Sequence, residues 1–383
     1  MKFFRLIIFF SFTSVFSSTN LNSLILQDSY GDPFINDSII KYKSSDPNRA
    51  LEFGFNSLKY YSSEKEITLD FVLVNYYIGE TFYYIGNYRD SYQYLKKSLE
   101  LYELLDSSDR RNRKVSKPPW ILVIMGNVYF RNQDFDTAKI YYDEALINFK
   151  LFDSKYEEEK LYGINTSEMN LALIEVEKAN FEEAKIIHEK VLKRRIANGD
   201  KTHIALSYFY ILDLNLRAGK IEDAKLNYQK IEELYNLNIE NESANEFKLS
   251  FGNANYEYGK YLENQGEQTE ALGYFNNAKK LLVNFPTEIP KVNYEIAKLL
   301  IQVDQINSAE KIILESLSNE EITDDEKISN FKLLEELYVL KKSDKKLLAV
   351  KDSIIVYSEK PFQKLIQEEF NVLENLILVT DKQ

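Results

Sequence analysis

The chain has 383 residues, with 60 acidic and 48 basic side chains and a net charge of −12. It contains no cysteine and only two histidines, which excludes disulfides, thiolate metal sites and cysteine-based catalysis. Nucleic acid is a disfavoured partner, because an acidic chain repels phosphates. The 28 tyrosines and 24 phenylalanines, against 12 glycines and 7 prolines, predict much apolar surface to bury and few tight turns.

Residues 1–17 are predicted to be a secretory signal peptide. Lys2 and Arg5 provide a positive start, an apolar run follows over residues 6–16, and Ser17 suits a cleavage point. The run is well short of the ~20 residues that span a bilayer, so we expect cleavage rather than anchoring. Cleavage changes the net charge from −12 to −14, and the mature protein is expected to be periplasmic or secreted, without a membrane span.

A repeated pattern follows in fixed register, after a predicted linker over residues 18–35. Six short connectors are each followed by a small residue: Ser91, Ala138, Ala184, Ala224, Ala271 and Ala309. Twelve residues before each of these stands a position that is small in most repeats, and we call these six residues the anchor residues: Gly79, Gly126, Ala172, Leu212, Gly259 and Ala297. Four residues after each small residue stands a bulky one: Leu95, Tyr142, His188, Tyr228, Phe275 and Ile313.

This register predicts pairs of helices joined by a tight turn. A small residue on each helix lets the two backbones approach closely, and the bulky residue fills the space beside that contact. The connectors begin at Gly86, Gln133, Ala179, Gly219, Gly266 and Asp304. A turn of this kind requires left-handed backbone geometry, which glycine and asparagine adopt most easily.

The pattern resembles the tetratricopeptide repeat (TPR). The residues that match its signature best are Gly126, Tyr129, Phe135, Ala138, Tyr142 and Ala145, then Gly79, Phe82, Gly86, Tyr88, Ser91 and Leu95, then Gly259, Leu262, Gly266, Ala271, Phe275 and Ala278. The resemblance implies an all-α, right-handed superhelical solenoid of about eight repeats over residues 36–358. The small residues recur every 38 to 47 positions, against about 34 in the standard repeat, so the extra residues must lengthen helices or form loops.

The last segment, residues 359–383, is predicted to be an amphipathic helix. Ser358 to Pro361 form a suitable helix start, and one apolar face carries Phe362, Leu365, Ile366, Phe370, Leu373, Leu376 and Ile377. Two interpretations stay open, a helix that caps the last repeat and the start of a longer helix.

No catalytic, cofactor or metal site is predicted, because the chain lacks a phosphate loop, a paired-histidine motif and a nucleophile elbow. His188 is expected in the core and His203 at the surface. Glutamates such as those at 157–159 are expected on solvated helix faces. The basic runs at 110–114, with Lys117, and at 193–195 are interpreted as a solvated loop and a helix C-terminus, with anion docking as the alternative.

The concave surface formed by the first helices is the candidate binding site. The resemblance implies that peptides lie there, and aromatic side chains with a few polar groups are typical of recognition surfaces. Counting from the anchor residues selects Tyr76, Glu80, Tyr83, Trp120, Asn127, Phe130, Arg131, Phe209, Asp213, Arg217, Tyr256 and Lys260. Some relatives bind a partner's C-terminal carboxylate with a lysine and an asparagine, but Val123 stands where that lysine would be.

Two classes of function remain. The first is an exported, non-enzymatic scaffold that binds a protein or peptide. It resembles the exported repeat regions of Bacteroidetes-type sensor kinases and regulators, including their Lys-Asp-Ser signature, here Lys351 to Ile354. The alternative is an exported hydrolase that uses carboxylates on a helical scaffold, and it requires acidic side chains converging in one groove with raised pKa values.

Overall fold

The computed structural model describes residues 33–43, 46–63, 66–106, 117–240, 244–319 and 322–359. Over these ranges the chain consists of helices and turns without a strand. The first helices of the repeats are α1 (Pro33–Tyr42), α3 (Leu69–Tyr84), α5 (Pro119–Arg131), α7 (Glu157–Glu177), α9 (Lys201–Arg217), α11 (Ala244–Asn264), α13 (Ile289–Gln302) and α15 (Asp324–Leu340). The second helices are α2 (Pro47–Ser63), α4 (Tyr88–Leu104), α6 (Phe135–Lys150), α8 (Phe181–Ala197), α10 (Ile221–Asn238), α12 (Gln268–Leu281), α14 (Ile306–Leu317) and α16 (344–359).

Within the described residues the helices form eight pairs, which confirms the predicted all-α helical-repeat class. A short 3₁₀ turn, Ser154–Tyr156, precedes α7. The helix ends follow local chemistry. Thr68 and Asp200, for example, accept hydrogen bonds from backbone N–H groups in the first turns of α3 and α9. Proline stands at the beginning of α5, where its missing N–H costs nothing.

The turns inside the pairs share one backbone geometry. The residue seven positions after each anchor has a positive φ, as in Gly86 (76°), Gln133 (62°), Ala179 (61°) and Asp304 (60°). The following N–H donates back across the turn, for example from Asn87 to the carbonyl of Phe82 at 2.9 Å. This closes a Schellman motif and confirms the predicted left-handed turn, also at positions that do not carry glycine.

The close approach of paired helices is confirmed at the predicted glycines. The side chain of Leu95 lies against Gly79 and the ring of Tyr142 lies against Gly126. A Cβ atom at either glycine would overlap that neighbour. The anchor glycines therefore set the distance between the two helices of a pair, as the register predicts.

The chain divides into two compact units, Met1–Asn227 and Tyr228–Gln383. In the first unit the core is formed by fully buried side chains such as Ile78, Leu122 and Phe149. In the second unit Phe247 and Phe275 have the same role. In both units the buried side chains lie between neighbouring helices, as expected of stacked repeats.

The two ends of the repeat region differ slightly from the predicted limits. The first helix begins at Pro33, inside the predicted linker. Ser358 and Glu359, interpreted from the sequence as a helix start, are the last described residues of α16. The signal peptide and the helix predicted over 359–383 lie outside the described residues, except for Glu359. None of the described helices is both long and apolar enough to cross a membrane.

Candidate functional site

The candidate site is the set of first-helix side chains that lie three or six residues before, and one, four and five residues after, the anchor residues. We call this set the inner row. Eight of the twelve predicted residues are buried: Tyr76, Glu80, Tyr83, Asn127, Phe130, Phe209, Asp213 and Tyr256. The other four are partly exposed: Trp120, Arg131, Arg217 and Lys260. The expected open groove is therefore largely filled by its own side chains, because they bond to and pack against each other.

At the N-terminal end of the inner row, Glu80 of α3 is fully buried. Its carboxylate accepts a hydrogen bond from Nζ of Lys43 at 2.8 Å and a longer one, 3.4 Å, from the hydroxyl of Tyr84. Burial, and then the carboxylate of Glu80, raise the pKa of Tyr76 well above its ordinary value. The phenol therefore stays protonated beside a buried ion pair.

Trp120 of α5 connects the inner row to α7. Its indole N–H donates to Oε1 of Glu159 at 3.0 Å, and its ring lies 5.3 Å from the ring of Tyr162. Tyr162 in turn lies 5.4 Å from the imidazole of His203 on α9. Three successive first helices therefore contribute to one aromatic and polar cluster.

In the middle of the inner row, Asn127 is held by two donors. Its side-chain oxygen accepts from the hydroxyl of Tyr142 at 2.8 Å and from the side-chain amide of Asn170 at 3.2 Å. Arg131, one turn further on α5, lies among the phenols of tyrosines that include Tyr83. These contacts join α5 to its own second helix and to the next first helix.

At the C-terminal ends of α7 and α9 the inner row is charged. Arg217 bridges Glu177 at 2.6 Å and Asp213 at 2.9 Å. The two carboxylates and the guanidinium are each mostly buried, so the bridge fixes α9 against α7. Phe209, one turn earlier, packs against Tyr210 with the ring centroids 5.4 Å apart.

Residues of α3 and α7 interact electrostatically, although α5 lies between these helices in the chain. The phenol of Tyr162 on α7 is the smallest of the causes, after burial and nearer groups, that raise the pKa values of Tyr76 and Tyr84 on α3. Glu80 likewise contributes to the raised pKa of Tyr162, after burial as the main cause. In the first unit, side chains of α3 therefore influence a side chain of α7, which belongs to the second repeat after that of α3.

The second unit has an inner row of its own, centred on Tyr256 of α11. Nζ of Lys260 lies 5.3 Å and Nζ of Lys291 5.0 Å from the centre of the Tyr256 ring. Lys291 also donates to the side-chain oxygen of Asn253 at 2.9 Å and pairs with Glu288. Here too an aromatic ring is combined with amine and carboxylate groups, and both amines lie within the range of cation–π contacts.

These clusters also contain residues that were not selected from the sequence, among them Lys43, Glu159, Tyr162 and Lys291. The register nevertheless contains a signal for two of them. Lys291 stands six residues before Ala297, as Trp120 stands six before Gly126, and Tyr162 extends the same face by a further turn before Ala172. Glu159 is identified only by its contact with Trp120.

Two predictions about polar side chains are corrected. His203 is buried, because it lies against Tyr162 and its Nδ1 is 2.6 Å from Asp200. Glu159 is buried rather than solvated. Arg195 lies in the last turn of α8, as interpreted from the sequence; it is 1% exposed and donates from Nη1 to the carbonyl of His203 and the hydroxyl of Ser207.

Two further predictions concern His188 and the first basic run. His188 is buried, as predicted. The run at 110–114 lies outside the described residues, whereas Lys117 pairs with Glu144 at 2.6 Å. Across the described part of the chain, no group of three histidine or acidic side chains is arranged to hold a metal ion.

Comparison with known proteins identifies the fold. No protein-family model matches the chain, and no curated protein matches it by sequence. The solved structure of aspartyl phosphate phosphatase F from Bacillus subtilis is similar with a TM-score of 0.51 and 13% identity, over 74% of this chain and 70% of that one. At this identity the likeness is one of fold, and it places the chain in the class of TPR-like helical-repeat proteins.

Two peptide-bound structures are similar at lower TM-scores. NprR in complex with its cognate peptide NprX has a TM-score of 0.48 and 14% identity, over 91% of this chain and 87% of its own. The Rap conjugation gene regulator of the plasmid pLS20, in complex with the Phr* peptide, has a TM-score of 0.48 and 12% identity, over 88% and 98%.

Proposed function

We propose that this protein is an exported scaffold that binds a peptide or an extended protein segment along the inner row of its first unit. The observation that carries the proposal is the convergence of aromatic, amide and charged side chains from α3, α5, α7 and α9 on one inner face. A purely structural face between helices needs apolar side chains only, and buried polar groups are costly unless they are bonded.

The chemistry of this face suits a peptide. Burial raises the pKa of the tyrosines that line it, so at neutral pH they are uncharged groups that both donate and accept hydrogen bonds. Trp120, Arg131 and Arg217 are partly exposed and are therefore the groups that an incoming chain reaches first. Aromatic and arginine side chains contribute most to protein recognition.

Trp120 provides a direct test, because it is the one tryptophan in the sequence. A random peptide library would be selected against the mature chain, and the enriched peptides titrated while Trp120 emission and its quenching by acrylamide are recorded. We expect binding to shift the emission and to protect Trp120 from acrylamide. We also expect the substitution Trp120→Ala to weaken binding at least about tenfold, as for an interface hot spot.

The matched control is Ile186→Ala, at a residue of α8 whose side chain is 67% exposed and does not belong to the inner row. This substitution should leave both affinity and emission unchanged. The proposal is wrong if no peptide is enriched. It is also wrong if the enriched peptides leave Trp120 emission unaltered and bind Trp120→Ala as tightly as the original protein.

Export is the second part of the proposal, and the sequence of residues 1–17 supports it. Expression of the whole reading frame in a bacterial host, followed by mass spectrometry of the periplasmic fraction, should yield a chain that begins at Ser18. A chain that retains Met1 and stays with the cytoplasmic fraction would contradict export.

A sensory role is the third part of the proposal. It is supported by the Lys-Asp-Ser-Ile segment at residues 351–354, which lies on α16. In the resembling sensor regions this segment precedes a membrane span and an output domain. Sequencing of the genome directly downstream tests it: a membrane span followed by a kinase or DNA-binding domain supports the role, and unrelated genes contradict it.

A further inference from the structure

Glu80 has a special place in the inner row of the first unit. It stands one residue after the anchor Gly79, as Asn127 and Asp213 stand one residue after theirs. Asp213 is neutralised by Arg217 on the same helix. Glu80 is instead neutralised by Lys43, which follows α1 and comes from the first helix pair of the described chain.

The surroundings of Glu80 combine a carboxylate with aromatic rings. Tyr84 donates to its Oε1, Tyr76 lies close enough to interact with it, and the ring of Tyr77 lies 5.8 Å from Nζ of Lys43. Aromatic faces and a carboxylate are the two groups that attract an ammonium ion in proteins. The structure therefore holds an ammonium group inside an aromatic and acidic enclosure.

The flexible side chain of Lys43 makes exchange possible. An incoming ammonium group that replaced it would keep Glu80 neutralised, and Nζ of Lys43 would move into water. The hydration free energy that Lys43 gains offsets the hydration free energy that the incoming ammonium group loses. The buried carboxylate of Glu80 therefore stays paired before and after the exchange. Lys43 directly follows α1, a ten-residue helix, and its flexible four-carbon stem lets Nζ move without a change in the backbone.

We propose that Glu80, with Tyr76, Tyr77 and Tyr84, forms a subsite for a primary ammonium group of the bound peptide, and that Lys43 occupies this subsite as an internal substitute. The ammonium group is either a lysine side chain or the amino terminus. This inference deepens the proposed peptide binding and specifies one chemical feature of the peptide.

Chemical rescue tests the subsite without any peptide. The substitution Lys43→Ala removes three methylene groups and the ammonium, which n-propylammonium can replace. We expect Lys43→Ala to lower the midpoint of thermal unfolding by about 10 °C, since it leaves a buried carboxylate unpaired. We expect n-propylammonium to restore at least half of that loss in a saturable manner, and 1-propanol at equal concentration to restore none. If Lys43→Ala does not fold, the yield of refolding with and without n-propylammonium is the measurement.

The matched control is Lys178→Ala. Lys178 pairs with Asp136, whose side chain is 90% exposed and stays hydrated when the lysine is lost. Its unfolding midpoint should not respond to n-propylammonium. Equal rescue of both variants, or no rescue of Lys43→Ala, would overturn the subsite.

Peptide affinity tests the role of Lys43 as an internal substitute. A peptide enriched on the inner row should bind Lys43→Ala at least tenfold more tightly than the original protein, and Glu80→Gln at least tenfold more weakly. A purely structural Lys43 would give the opposite result for Lys43→Ala, and that outcome overturns the proposed substitution. Acetylating either the peptide's lysine or its amino terminus identifies which group is bound. Rescue by n-propylammonium without any enriched peptide would retain the ammonium subsite and reject the proposed peptide binding.

Discussion

Buried polar side chains decide much of the behaviour of single residues in this protein. His188 occupies the bulky position between paired helices, 1% exposed, with its ring stacked on that of Tyr210 at 5.6 Å. Neither ring nitrogen has a hydrogen-bond partner among the described residues. Burial, and then the charge of Arg195, lower the pKa of His188 to about 3. The fold therefore accepts His188 only as the neutral imidazole.

Acid should destabilise the first unit through His188. In the unfolded chain the imidazole of His188 binds a proton as the pH falls below about 6.5. In the folded chain it stays neutral until about pH 3. Stability is consequently lost as the pH decreases across this range. Between pH 7 and pH 5 the loss from this one group is about 2 kcal/mol. His188→Phe should remove it, because Phe275 fills the equivalent position in another repeat.

The measurement is urea unfolding at pH 7 and pH 5, followed through Trp120 emission, for the original protein and for His188→Phe. Effects of the carboxylates are common to both proteins and cancel in the difference. If both proteins lost the same free energy of unfolding between the two pH values, the assigned role of His188 would be wrong.

Asn293 is a second buried polar residue, and its environment predicts that replacing it stabilises the protein. It is fully buried on α13, and neither atom of its side-chain amide has a partner among the described residues. It stands four residues before the anchor Ala297, where Leu122 stands in another repeat. An unpaired buried amide costs about 1–3 kcal/mol, so Asn293→Leu should raise the free energy of unfolding by about 1 kcal/mol.

Asn255, four residues before Gly259, is the matched control for Asn293. Its amide accepts from the hydroxyl of Tyr228 at 3.0 Å and donates to the carbonyl of Phe251. Asn255→Leu should therefore lower stability. Circular dichroism during urea unfolding measures both variants, and a loss of stability in Asn293→Leu would show that the amide is bonded.

At the scale of elements, the contact within each helix pair depends on the size of the anchor residue. The Tyr142 ring lies directly over Gly126, and its hydroxyl is fixed on Asn127. The ring therefore cannot move aside to admit a methyl group. Gly273 on α12 is a contrasting case, because a Cβ there would meet no atom within 4 Å.

The same substitution should thus have opposite effects at the two glycines. Gly126→Ala is expected to lower the free energy of unfolding by about 1–3 kcal/mol through overpacking. Gly273→Ala is expected to raise it by about 0.5–1 kcal/mol, because alanine loses less conformational freedom in a helix. Thermal or urea unfolding checks both, and destabilisation of similar size at both glycines would contradict the proposed packing.

At the scale of the whole molecule, the chain has a net charge of −12. Exposed ion pairs join successive repeats. In the first unit Lys178 bridges Asp136 at 2.9 Å and Lys220 bridges Glu182 at 2.5 Å. Both carboxylates stand two residues before the small residue of a second helix, so the acidic partner of the bridge recurs in register. Such exposed pairs contribute little to stability, and the apolar contacts between helices hold each unit together.

The sequence by itself determined the class of fold, the pairing of helices, the left-handed turns and the burial of His188. These features depend on neighbours within one repeat, where the anchor residue and the bulky residue lie at fixed distances along the chain. The inner-row positions were also identified correctly as positions on the first helices.

Only the tertiary structure decided how those positions are used. Contacts with another helix pair Glu80 with Lys43 and give Trp120 its acceptor, Glu159. Contacts with another helix also bury His203 and Arg195. The partners of Glu80 and Trp120 lie 37 and 39 residues away in the chain. The physical reason is that repeats of unequal length change how closely successive first helices approach, and no spacing within one repeat reports that distance.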